Sequence, residues 1–380
     1  MRLLFFVIFC AEICQALASE RIQLERTPNG GIQPQAAVGT DGELHLIYFK
    51  GEAKGGNIFY VRRSLAEQKL SEPIRVNSVS NSAVAMGTVR GAQAALGSNG
   101  HIHVLWNGNA EVHNSTHQGP PLWYARLSDA GNVFEPQRDL ISRAGGLDGG
   151  SSIAADEHDN VYAMWHGSLP DNSQGEAGRA VFISRSSNGG KTFAPEQAAV
   201  TNKTGACGCC GMRAMADATG NVFALYRGAS EKIDRSEILL VSGNHGETFS
   251  VANEHPWKIP ACPMSTATMA SSNGKTVAAW ETEGKIFFAA INSKTSTLSK
   301  LQSPAGLEKQ KHPSVAMNKK GEILVAWTEG TGWGRGGSLA WQIFNAEGNP
   351  TEEKGRAHGV PAWSLISCVA KGDGTFLIVY

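Results

Sequence analysis

The residues of this 380-residue chain whose types and spacing could do chemistry fall into two sets. The first is sulfur: Cys207-Gly-Cys209-Cys210-Gly-Met212, and later Cys262-Pro263-Met264. Disulfides among Cys207, Cys209, Cys210 and Cys262 would pin two long loops together, with Cys262 bonding one of the other three. Thiolates helped by the thioethers of Met212 and Met264 could instead hold Cu(I), a soft ion that prefers sulfur. A redox role is the third reading, although Cys-x-Cys-Cys is not the Cys-x-x-Cys of thiol oxidoreductases. The disulfide reading is preferred, so no metal and no other cofactor is assigned. Cys368, within an apolar run, reads as a buried thiol.

The second set is charged. Arg213 follows the first cysteine loop directly and Arg227 ends the next apolar run, with no acid apparent beside them. Two guanidiniums held close repel each other unless an anion lies between them. Arg90 offers a third guanidinium, Asp148 and Glu281 flank the group, and His166 is the proton carrier. The expected result is a pocket for an acidic sugar or another carboxylate, gripped by paired charge-assisted hydrogen bonds. The competing reading for each residue is a solvated loop position or an ion pair between neighbouring elements.

A repeat must position these residues. A strand rich in small residues, a polar turn, and a second strand bearing an aromatic recur seven times. The aromatics are Tyr48, Trp106, Trp165, Tyr226, Trp280, Trp327 and Tyr380. Six positions before each stands a turn residue: Gly42, Gly100, Asp159, Gly220, Gly274, Gly321 and Gly374. Upstream of the turns lie Ala37, Ala95, Ala154, Ala216, Ala270, Ala316 and Ala370. Small side chains are what the crowded innermost strands of a radially repeated sheet demand. Each unit continues with an apolar third strand, such as 58–61 or 181–184, and a weaker outer one. The spacing predicts an all-β propeller of about seven blades, six being the alternative. The alternating run 21–27 would complete the last blade beside residues 363–380, tying both ends of the chain into one ring.

In such a ring the loop leading into an innermost strand and the loop leaving the second strand share one face. Function collects there because loops from every blade converge on the central channel. That places Arg90, Asp148, the two cysteine loops, His312, His358 and Trp363 on this face. It also places His113, His117, His166, Arg227, Glu281, Glu329 and the Gly-rich run 331–337, with Trp333 and Arg335, on the same side.

Two hairpins repeat a further pattern: Ser186-x-Asn188-x-Gly190-x-Thr192-Phe193 and Ser242-x-Asn244-x-Gly246-x-Thr248-Phe249. The pattern resembles the Asp-box, or BNR repeat, of sialidases and related β-propellers, with Asn where that family usually has Asp. Weaker relatives stand at 128–134 and 345–348. The resemblance implies a propeller in which the short polar side chain folds back onto turn backbone donors and the aromatic packs between outer strands. For function it implies a glycan-directed protein, hydrolytic in the manner of an exo-sialidase or merely sugar-binding. Sialidases hold a sugar carboxylate with three arginines, use a Tyr with a Glu partner as nucleophile, and employ an Asp as acid/base. Carried onto this chain, those arginines are Arg90, Arg213 and Arg227, and the carboxyl groups are Asp148 with Glu281 or Glu329. The family's Phe-Arg-Ile-Pro motif is absent and no Tyr stands in the nucleophile's place, so the resemblance covers the fold without carrying the active site. The Cys-x-Cys-Cys and Cys-Pro-Met pair is similar to an uncharacterised exported branch of these propellers, which names no activity.

Asp-boxes also occur in non-catalytic propellers, so three functions compete. A glycan-directed protein requires arginines and carboxyl groups lining one pocket. A scaffold for a protein partner expects those charges dispersed into separate ion pairs. A copper-handling propeller requires sulfur atoms within bonding range of one point.

Bulk composition narrows partners and location. Lys plus Arg equals Asp plus Glu at 34 each, so nothing favours nucleic acid. Met1-Arg2, an apolar run from Leu3 to Cys10, and Ala16-Leu17-Ala18 predict a signal peptide over 1–18. The remainder, 19–380, is expected to be one exported propeller domain with no membrane span. Asn114-Ser-Thr and Asn202-Lys-Thr are glycosylation sequons.

Overall fold

The computed structural model describes residues 20–112, 117–200, 204–306 and 309–380. The expected signal segment, His113 and both sequon asparagines lie outside the described residues. The described chain forms seven sheets, six of four strands and one of three, in the order expected of a seven-bladed propeller. The innermost strands are Ile32–Val38, Gln93–Leu96, Ser151–Ala155, Arg213–Ala216, Ala267–Ser272, Gln310–Met317 and Ser367–Ala370, which number blades 1 to 7. Each of the seven expected alanines lies on one of them.

The turn chemistry explains why the register holds. All seven turn residues have positive φ, from 61° at Asp159 to 88° at Gly374. Glycine occupies six of the seven because a Cβ disfavours that conformation. Fixing the turn fixes which face the second strand presents, and its aromatic is consequently buried in every blade, from Trp106 and Trp165 to Tyr380. Successive blades then share apolar cores, as where Trp106 and Tyr60 pack together in one cluster between blades 1 and 2.

The two matching hairpins are held by matching hydrogen bonds. The Ser186 hydroxyl accepts from the Gly190 N–H at 3.0 Å, and Asn188 Oδ1 accepts from the Thr192 N–H at 3.0 Å. Ser242 and Asn244 repeat both contacts with Gly246 and Thr248 at 3.0 and 3.1 Å. Phe193 packs edge-on against Tyr124 of the preceding blade, with ring centroids 4.9 Å apart. The aromatic of this hairpin therefore joins two blades. Gly190 has φ of 76°, and a Cβ there would stand 1.8 Å from the Tyr124 hydroxyl, so both conformation and space demand glycine.

The ring closes as the sequence predicts, with both chain ends in one sheet. Strand Ile22–Glu25 lies beside Phe376–Val379, which pairs in turn with Ser367–Ala370. The first pairing is parallel, with Ile22 opposite Phe376 and Glu25 opposite Val379. Arg21 O and Glu25 O accept from the N–H groups of Phe376 and Tyr380 at 2.9 and 3.0 Å, and Thr27 N–H donates to Tyr380 O at 2.7 Å. Ile22 is buried in the core shared by blades 6 and 7. We expect Ile22→Ala to cost about 2–5 kcal/mol, the range for truncating a buried isoleucine. Denaturant unfolding should show it, and a loss below about 0.5 kcal/mol, within the range of ordinary surface substitutions, would mean that this strand does not close the ring.

Candidate functional site

The central channel is a cavity of about 1160 Å³, walled by the innermost strands. Arg213, first residue of the blade 4 innermost strand, lines it together with Gln35, Gln93, Thr266, Thr268 and His312. Its guanidinium reaches across the channel, donating to Gln93 Oε1 at 2.5 Å and to Gln35 Oε1 at 3.2 Å. Among the described residues it has no carboxylate partner. Burial pushes its pKa down to about 10, because removal from water disfavours the charged form. The glutamines escaped the sequence reading. Both stand two positions before the register alanines of blades 1 and 2, and that shared place was the signal available.

The other expected site residues do not join Arg213. Arg227 is a correction. It is almost fully buried between blades 4 and 5, where its Nη2 lies 2.9 Å from Glu237 Oε2. Glu237 is opposite Arg227 in the register of the second and third strands, so an acid does stand at that position. Arg227 also donates to Ser265 Oγ at 2.9 Å, to the Arg235 carbonyl at 2.5 Å and to the Glu281 carbonyl, and it stacks 4.9 Å from the Trp257 ring centre. Burial lifts the Glu237 carboxyl to about 7 against the pull of Arg227, with Cys210 and Glu281 adding to the rise.

Arg90 and Asp148 pair with each other, Nη2 to Oδ1 at 2.5 Å and Nε to the Asp148 carbonyl at 2.8 Å. Glu281 is buried, and its Oε2 lies 3.6 Å from Lys311 Nζ. Burial raises its pKa, and Lys311 and Arg227 oppose the rise. Glu329 pairs with Arg356. These charges are dispersed into separate ion pairs, as the scaffold reading expects, and among the described residues no arginine triad faces the channel.

His166 is another correction, because it is wholly buried and out of reach of a ligand in the channel. Neither ring nitrogen has a well-formed hydrogen bond. Burial, helped by the Arg179 charge, lowers its pKa to about 3, with the Cys207 backbone opposing, so it is neutral and cannot ferry protons near neutrality.

The two cysteine loops do meet. Cys209 and Cys262 are disulfide-bonded, joining the loops that lead into blades 4 and 5. Cys207 and Cys210 are buried thiols, which corrects their assignment to disulfides. Their Sγ atoms lie 3.2 Å apart, and Cys207 Sγ is 3.5 Å from Cys209 Sγ. Cys207 and Cys210 thus form a Cys-x-x-Cys pair nested inside the Cys-x-Cys-Cys motif, overlooked because Cys209 interrupts it. Burial works to raise the Cys210 thiol, but the Cys207 S–H, the Arg227 charge and Ser265 together bring it down to about 7, while the Cys207 thiol is driven up. Cys368 is a buried thiol as expected, raised by burial to about 12. Met212 packs in the apolar cluster between blades 3 and 4.

No protein-family model matches the chain, and no curated protein matches it. Solved structures do. A protein of unknown function from Dyadobacter fermentans is 15% identical, with 76% of this chain and 92% of that one covered, at a TM-score of 0.50. A Hadza microbial sialidase is 12% identical, with 84% of this chain and 73% of that one covered, at a TM-score of 0.53. The fold shared with these structures is a β-propeller. At these identities the likeness extends to the fold alone. Among the described residues, no helix is long and apolar enough to cross a membrane.

Two outcomes follow from this geometry. Arg227→Ala should destabilise the protein by about 3–5 kcal/mol, the cost of leaving a buried partner charge uncompensated. Urea denaturation checks it, and a loss under about 1 kcal/mol, the worth of an exposed pair, would return Arg227 to the list of ligand-facing residues. Protein denatured without reductant should show Cys207, Cys210 and Cys368 reactive to a thiol reagent, with Cys209 and Cys262 joining only after reduction. Reactivity of Cys209 or Cys262 before reduction would break the assignment.

Proposed function

We propose that the protein is an exported, non-catalytic propeller that binds a carboxylate-bearing ligand, an acidic glycan above all, in its central channel. The carrying observation is Arg213, a guanidinium set in the channel wall against two amide oxygens and no carboxylate. A ligand carboxylate would supply the charge partner that the described residues withhold, through the two-point hydrogen bonding that guanidinium geometry favours. The Gln35 and Gln93 amides would then be free to turn toward the ligand's hydroxyls.

An aromatic pair supports a sugar. Trp333, 62% exposed, meets Trp363 edge-on with ring centroids 4.8 Å apart. The Trp363 carbonyl accepts from Gln33 Nε2 at 2.8 Å, on the same strand as Gln35. The aromatic pair therefore sits at the loop leading into blade 7, on the face where Arg213 enters the channel wall. A Trp ring that is partly free of its neighbours can pack against the apolar face of a sugar ring while its N–H stays in water. The choice of an acidic sugar follows the sialidase among structures of like fold. Hydrolysis finds less support, because the carboxylates lining the channel, Asp41 and Asp373, belong to the turns at the opposite end from the cysteine loops.

A panel of sialylated and uronic-acid glycans tests this. The parent should bind at least one member without cleaving it, and Arg213→Ala should weaken that binding at least tenfold, about 1.4 kcal/mol. Unchanged affinity in Arg213→Ala would remove the site. A parent that binds none of the panel would remove the glycan.

A further inference from the structure

None of the four loop cysteines lines the channel, yet their geometry is organised. The Sγ atoms of Cys207, Cys209, Cys210 and Cys262 all lie within 4.8 Å of one another. Sulfurs bound tetrahedrally to one ion at metal–sulfur distances of about 2.3 Å stand roughly 3.8 Å apart, so small side-chain adjustments would bring all four onto a common centre. The backbone that carries them is already fixed. Cys207 N–H donates to the Arg227 carbonyl at 2.9 Å, and Gly211 N–H to the Ser265 carbonyl at 2.8 Å. Gly208 N–H donates to Glu176 Oε1 at 2.8 Å.

Two neighbours point the same way. His166, wholly buried with both ring nitrogens lacking a well-formed hydrogen bond, packs beside this loop. A Cβ on Gly150 would lie 2.5 Å from its Cε1 and 2.8 Å from the Cys210 carbonyl oxygen, so ring and loop are nearly in contact. Arg227 is linked to the cluster through Ser265, whose Oγ accepts from its Nε at 2.9 Å and lies 3.8 Å from Cys210 Sγ. A guanidinium so placed offsets the negative charge that several thiolates would bring into the interior.

We propose that these four cysteines form a redox-gated site for a thiophilic d10 cation, Cu(I) or Zn(II). In the closed state the Cys209–Cys262 disulfide withholds two of the four ligands. A dithiol reductant opens the site: its two S–H protons and two electrons pass to Cys209 and Cys262, their S–S bond breaks, and the reductant leaves as its own disulfide. The cation then displaces one proton from each thiol it binds. Access is available on the Cys262 side. That residue is exposed, at the edge of a groove of about 510 Å³ that Glu176, Glu231, Lys232, Arg235 and Pro260 help to line.

The test uses the purified protein under anaerobic conditions, titrated with Cu(I) or Zn(II) against a competing chelator before and after reduction. Reduced protein should take up one equivalent per chain, at least tenfold more tightly than the disulfide form. Cys262→Ser separates the ions, because it leaves three sulfurs and no disulfide: it should hold Cu(I) without any reductant and bind Zn(II) at least tenfold more weakly than the reduced parent, a water taking the place of the fourth sulfur. Cys368→Ser should change nothing. If the buried-cysteine variants fail to fold, alkylation of the reduced parent serves instead, and bound cation should slow modification of Cys209 and Cys262 at least tenfold. The proposal is overturned if reduced protein binds neither ion stoichiometrically, or if Cys207→Ser and Cys210→Ser fold and bind as the parent does. Exchange of the Cys209–Cys262 disulfide with dithiols, unaccompanied by metal uptake, would overturn it in favour of a purely redox role.

Discussion

The innermost strands carry the constraint on which everything else depends. Each has one edge paired within its blade and the other facing the next blade, where its backbone N–H groups still need acceptors. Serine hydroxyls supply them. Ser152 Oγ accepts from the Ala214 N–H, Ser314 Oγ from the Cys368 N–H and Ser367 Oγ from the Ala36 N–H, each at 2.9 Å. These bonds join blade 3 to 4, 6 to 7, and 7 to 1 across the point of closure. They require neighbouring strands to approach closely, which explains the small residues that recur there. Because the strands converge, whatever large side chain enters the channel must come from a few positions, and Arg213, Gln35 and Gln93 meet there.

Closure adds a second requirement. The last blade has only two strands from the C-terminal end, and the third comes from the N-terminus running parallel to its neighbour. Parallel pairing is slightly weaker per residue, but here it is backed by side chains. Arg63 of blade 1 holds Glu25 at 2.6 Å, and Arg21 holds Glu322 of blade 6 at 2.6 Å. The closing strand is thereby fastened to blades on both sides as well as to its own sheet.

The blades were legible because their signals are local. A turn residue with positive φ, an alanine before it and an aromatic six positions after it lie within a short stretch of chain, so one sequence contains the whole argument. Charge pairing was not local. Asp148 meets Arg90 from a different blade, and Lys311 reaches Glu281 from the next one, so chain order alone does not reveal who neutralises whom. Arg227 and Glu237 are instructive because they are directly opposite in register, and the repeat that placed Tyr226 could have placed Glu237 as well. The sulfur loops fell between these cases. Their adjacency followed from blade order, whereas the choice of Cys209 over Cys207 or Cys210 depended on side-chain direction.

The two sites, though distinct in chemistry, share a backbone. Cys210, Gly211, Met212 and Arg213 are consecutive, so the loop that holds the sulfurs runs straight into the strand that holds the channel guanidinium. Gly211 is tied to Ser265 in the loop leading into blade 5, and Ser265 is in turn tied to Arg227 and lies beside Cys210. Cys262, three residues before Ser265, completes this loop-to-loop connection covalently. A cross-link between loops limits the conformations open to both, most strongly for residues next to it. The Arg213 backbone is therefore set from one side by sheet pairing with Leu225 and from the other by the sulfur cluster. Opening the disulfide removes the covalent tie and leaves the hydrogen bonds of Cys207, Gly208 and Gly211, so the strand stays in place while Cys209 and Cys262 gain freedom. The chemistry of the sulfurs thus bears on how the channel arginine is presented, with no change required in the propeller that carries both.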